Sequence, residues 1–494
     1  MRKYAWLVLA LGILYPIGAV AQPASRHQAP VGAPALAQRI EEVLAAHPEL
    51  AKTRIGIAVL DLATGRTLYE RASRKPFKVA SIAKLATTGA ALARLGPEYR
   101  FITTLLADGW DGKNTVANVY LRGKGDPALT TEVLWKLVAE LRLAGVTRVT
   151  DAVIVDDSFF DPATLPPAFD QKDEDAAFRA PISAAALNAS SVVILISPSR
   201  PGEPPRVVVE PPSDYVMLRN EAKTVAEGKG LLTINAAENG ARTEIVVAGV
   251  LSQGAAATRA VKRVWHPSLY LGATLRATLV AHGLQVERDE VKLGVVPAAA
   301  RIFAAHRSDS LAVLVRTLNK SSVNFMAEML LKVIGAEAKG APGSSANGLT
   351  AVRAWLADAG LPEGAYRLAN GSGLYDSTRF TPEQLAALLA HAYRDFRYSA
   401  DFVAALPLAG ADGTLGKRML GGAAERYVRA KTGTLDDVSC LAGYAGSIGR
   451  TPLAFAVFVN DLPEKGTSTA KARALEDEVA QALVMYLESE AVVR

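Results

Sequence analysis

At 494 residues, 50% of them hydrophobic and 21% charged, the chain has room for roughly two to four domains and enough apolar mass for real cores, which excludes a disordered protein. Basic residues exceed acidic ones 55 to 49, a formal charge of +6 that is compatible with work near an anionic polymer but too mild to decide function; no nucleic-acid partner is expected. A single cysteine, Cys440, excludes an internal disulfide, and its place in the apolar run 438–445 reads as a buried thiol rather than a nucleophile.

The first predicted element is a cleavable signal peptide over residues 1–21. Arg2 and Lys3 make its positive start, Trp6 to Ile17 its apolar stretch, and Ala19, Val20 and Ala21 a small-residue cleavage site before Gln22. Gly12 and Pro16 interrupt the stretch, which is short for a bilayer span of about 20 residues. The mature protein is therefore expected in the periplasm, with no membrane span after cleavage. Residues 35–46 then show helical spacing, with Leu36, Ile40 and Leu44 on one stripe. Strand-like runs at 54–62 and 66–71 flank a turn at Thr64 and Gly65 and read as a hairpin, and 81–95 is strongly helical up to Gly96. Residues 118–123 are strand-like, 132–143 helical and 149–155 strand-like.

From about 165 to 262 the texture changes to short β-rich runs, at 192–196, 206–209, 215–218, 231–234 and 243–250, separated by turn-rich stretches such as 198–205 and 227–230. Helical spacing returns at 269–282 and 325–334. Three strand candidates follow at 427–434, 438–448 and 453–460, and a helix at 470–487 closes the chain. The economical fold is α/β (α+β), with one antiparallel sheet built from both ends of the chain and flanked by helices. The middle reads as two nested insertions: an α/β domain over 101–164 and 263–299, and inside it a β-rich domain over 165–262. Residues 30–100 and 300–494 make up the sheet domain.

Three short motifs carry chemistry. In the first, Ser81 and Lys84 stand three residues apart at the start of a helix, so the lysine amine can meet the serine hydroxyl and serve as its base if its pKa is depressed. The helix start adds a backbone N–H and a positive dipole for an oxyanion. Ser468 and Lys471 repeat the same spacing near the last helix, so the pattern alone is weak. In the second, Lys431, Thr432, Gly433 and Thr434 lie on a strand, where the lysine and hydroxyl can hold a carboxylate and the glycine removes a clashing side chain. In the third, Ser322 and Asn324 precede a helix and can relay a proton and anchor an amide. Ser345 and Asn347, in a glycine-rich stretch expected to be a loop, have the same spacing, which cannot choose between the two pairs.

Together the motifs match the set shared by penicillin-binding proteins and serine β-lactamases, in the required order, and Ser468 falls after the Lys-Thr-Gly strand, where no such site begins. The chain resembles the penicillin-binding protein 4 type, the class C low-molecular-mass D-alanyl-D-alanine carboxypeptidases/endopeptidases, over essentially all of the mature sequence. The matching stretches are 80–85 with 95–101, 123–127, 156–158, 319–324 with 327–330, 371–374, 410–415 and 429–435. Because the family's middle motif follows Asn-Lys and precedes Ala-Glu, the resemblance selects Ser322 over Ser345.

The resemblance implies a serine β-lactamase/transpeptidase-like catalytic domain carrying the two insertions, no cofactor, and peptidoglycan stem peptides, cross-links and β-lactams as partners. It implies that Ser81 attacks the D-Ala-D-Ala carbonyl and Lys84 takes its proton, while Ser322 and Asn324 assist. Lys431 and Thr432 would hold the terminal carboxylate, the backbone N–H groups of Ser81 and Thr434 would form the oxyanion hole, and water would release the acyl-enzyme. Asn370, Tyr375 and Asp437 depart from the family's usual aspartate, serine and glycine, and all three are expected at the rim. A β-lactamase shares the motif set, but chain length and the large insertion argue against it. A scaffold without turnover would not need every catalytic member. The six histidines lack metal-like spacing, so no metal site is expected, and Asp126, Asp156 and Asp157 read as turn and strand-end residues.

Overall fold

The computed structural model describes residues 33–463 and 467–492; the expected signal peptide lies outside them. Arg54–Asp61 turns back through a tight loop in which Asp61 accepts from Ala63 N at 2.9 Å and Thr64 Oγ1 at 2.7 Å, and Gly65 takes φ +73°. Thr67–Arg71 returns beside it, completing the expected hairpin. On its other edge Arg54–Asp61 pairs with Arg450–Asn460, from Arg54 opposite Asn460 to Asp61 opposite Leu453. Val438–Ser447 and Val428–Leu435 follow, so one antiparallel sheet of five strands joins the two ends of the chain.

Successive side chains of these strands point to opposite faces, and each face has its own cover. Leu441, Val457 and Val459 pack with Leu36, Ile40 and Val43 of the helix Ala33–Ala45 and with Leu475, Val479 and Leu483 of the closing helix Thr467–Val492. Cys440, Ala442 and Phe458 face the other way, into a larger core with the helices Lys84–Leu95, Asn324–Lys339 and Pro382–Arg394. Leu475 and Leu483 are fully buried, each contributing about 1.5–3 kcal/mol. The expected α/β (α+β) class, an antiparallel sheet flanked by helices, is the fold observed.

The middle of the chain forms further sheets. Strands Val291–Leu293, Val153–Asp156, Val119–Arg122, Ile102–Ala107 and Arg301–Arg307 lie side by side in that order. Between 191 and 263, Ser191–Ser197 is flanked by Arg206–Glu210 and Thr258–Arg263, and Arg242–Ser252 is surrounded by three more strands. Buried residues from both groups, Leu105 and Val155 as well as Ile194 and Ile245, form one continuous core. The single strand expected at 149–155 is two. Arg148–Val149 pairs with Thr115–Val116, while Val153–Asp156 joins the larger sheet, and the step between them is held by Asp151 N to Ala117 O at 2.9 Å and Ala152 N to Asn118 Oδ1 at 3.1 Å.

Candidate active site

The helix expected from Ser81 begins instead as a 3₁₀ turn over Ala80–Ala83 and becomes α-helical at Lys84. A 3₁₀ turn has three residues per revolution, so positions 81 and 84 stack one above the other. Ala80 is held at φ +49°, a sparsely populated conformation for a residue with a Cβ. Two glycines clamp this turn: a Cβ on Gly373 would lie 2.0 Å from the Ala80 carbonyl oxygen, and one on Gly433 would lie 2.4 Å from that of Val79. The glycine of the Lys-Thr-Gly strand therefore lets the strand press against the serine turn, rather than only clearing a path for a ligand.

Lys84 is completely buried and its Nζ has three partners: Ser81 Oγ at 2.8 Å, Asn324 Oδ1 at 2.6 Å and the Ser372 carbonyl at 2.9 Å. Burial, helped by the charge of Lys431 and opposed by that of Glu328, pushes the Lys84 amine well below the usual lysine range. Lys431 is also fully buried. It donates to Ser322 Oγ and to the Thr432 carbonyl, each at 2.8 Å, and burial lowers its pKa to about 7. Two lysines thus reach two serines in one cluster.

Ser322 caps the helix Leu311–Ser321 with φ +55°, and this left-handed residue redirects the chain so that Asn324 opens the next helix. Asn324 Nδ2 donates to the Phe178 carbonyl at 3.0 Å, tying the helix start to the 169–179 segment. One turn further on, Glu328 is completely buried and accepts from Gly371 N at 3.0 Å and Ser372 N at 2.8 Å. It fixes the backbone just before the Ser372 carbonyl that receives Lys84; the N–H of that carbonyl's own peptide, on Gly373, is held by Asn370. Burial raises the Glu328 carboxyl, and those hydrogen bonds and Lys84 pull against it. Glu328 falls outside the three motifs, although its four-residue spacing from Asn324 puts both on one helix face. Phe178 had no sequence signal, since its part is played by a backbone carbonyl brought in by long-range packing.

A cleft of 740 Å³ opens over the cluster, lined among others by Ser81, Ser322, Asn324, Thr434, Tyr375 and Arg473. Lys431 and Thr432 are not part of its lining: the lysine is turned toward Ser322, and Thr432 Oγ1 donates to Thr414 Oγ1 at 2.8 Å. Tyr375 and Asp437 stand on the cleft wall, Tyr375 donating to Glu174 at 3.1 Å and Asp437 receiving Lys78 at 2.8 Å. Asn370 does not lie at the rim as expected. It is fully buried, accepting from Gly373 N at 2.8 Å and donating to the Pro167 carbonyl at 3.0 Å, so it shapes the loop behind the site.

Of the two duplicate motifs, Ser468 belongs to the closing helix, where Lys471 is exposed. Ser345 is not in a loop: it is the first residue of the helix Ser345–Asp358, capped by Ser344 Oγ accepting from Asn347 N at 3.1 Å. Cys440 is buried against the Lys78 carbonyl, and burial pushes its thiol well above the ordinary range. Asp126 accepts from Ala128 N at 2.9 Å within its turn, and Asp156 receives Ser158, Arg122 and Val296 N at a strand end. None of the described helices is long and apolar enough to cross a membrane.

A serine on a helix-opening turn, with a buried lysine beside it and a Lys-Thr-Gly edge strand behind it, defines a serine hydrolase of the β-lactamase/transpeptidase-like fold. Residues 36–483 match the D-Ala-D-Ala carboxypeptidase 3 (S13) family, and the chain belongs to that family of serine peptidases. The D-alanyl-D-alanine carboxypeptidase of Actinomadura sp. (strain R39) is 34% identical over 455 residues, covering 89% of this chain and 82% of that protein. The D-alanyl-D-alanine carboxypeptidase DacB of Haemophilus influenzae is 26% identical over 392 residues, covering 77% and 80%. Among solved structures, penicillin-binding protein 4 from Haemophilus influenzae superposes with a TM-score of 0.76 at 23% identity, covering 91% of this chain and 98% of that one.

Proposed function

We propose that this protein hydrolyses D-alanyl-D-alanine bonds of peptidoglycan, both as a carboxypeptidase on stem peptides and as an endopeptidase on cross-links, through an acyl-enzyme on Ser81. The observation that carries the reading is the 2.8 Å contact between Lys84 Nζ and Ser81 Oγ with two other acceptors on the same amine. A protonated lysine has three N–H donors and fills all three contacts. The neutral amine has two, which stay on Asn324 Oδ1 and the Ser372 carbonyl and leave the lone pair for the Ser81 hydroxyl proton. Its depressed pKa supplies that neutral form without strong alkali.

In this mechanism Ser81 Oγ bonds to the penultimate D-alanine carbonyl carbon as its proton passes to Lys84. The backbone N–H groups of Ser81 and Thr434 hold the oxyanion. The C–N bond then breaks, and the departing amine receives a proton through Ser322, which hydrogen-bonds Lys431, an amine close to half-protonated near neutrality. Asn324 positions Lys84 and the substrate amide, and Gly433 seats the strand carrying Thr432 and Thr434 against the serine turn. Water attacks the ester carbonyl as its proton passes through Ser322 to Lys431, left neutral by the first step, and protonated Lys84 returns its proton to Ser81 Oγ as the ester C–O bond breaks and the shortened peptide leaves. The open cleft leaves room for a second stem at a cross-link.

A β-lactam presents a strained amide in place of the scissile bond and acylates Ser81 in the same way. A fluorescent penicillin should therefore label the protein stoichiometrically on Ser81 and persist for minutes, while unlabelled protein releases D-alanine from peptides or muropeptides. Rapid penicillin turnover with no D-alanine release would make the protein a β-lactamase. Neither labelling nor release would make it an idle scaffold. The hydrogen-bonded geometry of Glu328, which is absent from the cleft lining, gives it no path to activate a deacylating water. We further propose export to the periplasm: amino-terminal sequencing of the mature protein should begin at or near Gln22, and an intact Met1 in a cytosolic fraction refutes it.

A further inference from the structure

The carboxylate of the residue that leaves needs a cation facing the cleft, and Lys431 does not face it: its ammonium is fully buried on Ser322 Oγ and the Thr432 carbonyl. Of the other cations on the cleft wall, Lys78 is paired with Asp437 at 2.8 Å and Lys172 with Asp436 at 3.1 Å. Arg473 also lines the cleft; Asp477, four residues on, feels its charge but is hydrogen-bonded to Arg418, and among the described residues no carboxylate lies within ion-pair distance of Arg473. Its Nη2 donates to Thr434 Oγ1 at 3.4 Å. Because Thr434 accepts that bond, its own hydroxyl proton stays available to a second acceptor, so the guanidinium and the hydroxyl form adjacent donors at the end of the edge strand.

The position of Arg473 is built from behind. Arg418 donates to the Arg473 carbonyl at 3.1 Å, to Glu476 at 2.9 Å and to Asp477 at 2.6 Å, fixing one turn of the closing helix. Glu476, completely buried, accepts from Ser439 Oγ at 2.7 Å, and Ser439 is the cross-strand partner of Thr434. The helix turn that carries Arg473 is thus tied to the same strand pair that carries Thr434. We propose that Arg473, with the Thr434 hydroxyl, reads the α-carboxylate of the leaving residue and so sets the preference for substrates that end in, or continue from, a residue bearing that carboxylate. This rests on the peptidase reading above. Lys431 is left to proton transfer, and charge recognition passes to a residue outside the three motifs.

The test uses the full chain and two peptidyl boronic acids that form reversible tetrahedral adducts with a serine hydroxyl. They are identical except that one carries a carboxylate at the leaving-residue position and the other a neutral carboxamide. Calorimetric titration of Arg473→Gln should show the carboxylate ligand weakened by roughly 10- to 100-fold, as expected for a hydrogen bond to a charged group, with the carboxamide within about twofold of wild type. Arg473→Lys should recover part of the loss. Equal weakening of both ligands would assign Arg473 a packing role, and no weakening of either would remove it from recognition; each overturns the proposal. D-Alanine release by wild type is measured in parallel. Wild type that binds neither ligand and releases no D-alanine overturns the peptidase reading, and this assignment falls with it.

Discussion

Ser81→Ala should abolish hydrolysis of a D-Ala-D-Ala peptide, lowering kcat on the order of 10⁶-fold, as removal of the nucleophile does in other serine hydrolases. Only the Oγ is lost: the Ala80–Ala83 turn contains two other alanines, and the glycine clamp behind it acts on the backbone of residues 79 and 80. The variant should therefore melt like wild type and take no penicillin label. Ser322→Ala leaves Ser81 and Lys84 in contact but removes the hydroxyl that receives Lys431, a loss of roughly 10²–10⁴-fold in keeping with general acid–base assistance. Ser468→Ala and Ser345→Ala should keep wild-type rates, since the first lies on the closing helix and the second on a helix capped by Ser344. Steady-state kinetics with thermal melting separates these cases. Lost activity in either of the last two variants, with stability unchanged, would overturn the assignment of the motifs.

What could be read ahead of the structure follows physical lines. The strands at 54–61 and after 427 read as continuous apolar runs because both faces of that sheet are buried against helices, and the turn residues between them mark their ends. The strand Thr258–Arg263 was missed because half-exposed, charged residues such as Arg259 and Lys262 carry little alternation, and its pairing with Ser191–Ser197 is what makes it a strand. The helix at Ser345 was hidden by glycines: Gly348 sits so close to the Leu331 carbonyl, 2.0 Å from where a Cβ would be, that packing against the neighbouring helix demands glycine at some cost in helix propensity. In the site, serine, lysine and asparagine types were legible from spacing. Their supports were not, because Phe178, Ser372 and Val79 act through backbone carbonyls, which any residue offers. Asn370 was misplaced for a related reason: an amide satisfies a buried loop as readily as it binds a ligand at a rim.

Lys84→Arg should be nearly as damaging as loss of the serine. A guanidinium keeps the charge but cannot give up its proton, so it cannot serve as the base, and it is too large for a fully buried pocket whose three acceptors lie at 2.6 to 2.9 Å from one nitrogen. Acylation by penicillin should fall by at least about 10²–10⁴-fold. The wild-type pH profile then tests the base itself. Lys84 is active when neutral, so the acylation rate climbs as pH rises through its pKa, and burial places that limb well below the ordinary lysine value of 10.5. Lys431, protonated up to about pH 7, adds a positive charge that makes protonated Lys84 less favourable. Removing that charge restores the favour, so in Lys431→Ala the residual acylation should rise along a limb displaced to higher pH. Stopped-flow labelling of both proteins across pH reads the two limbs directly. A wild-type limb near 10.5 would show that Lys84 is not the base that activates Ser81, and a Lys431→Ala limb that stays put or moves to lower pH would show that the charge of Lys431 is not what depresses it.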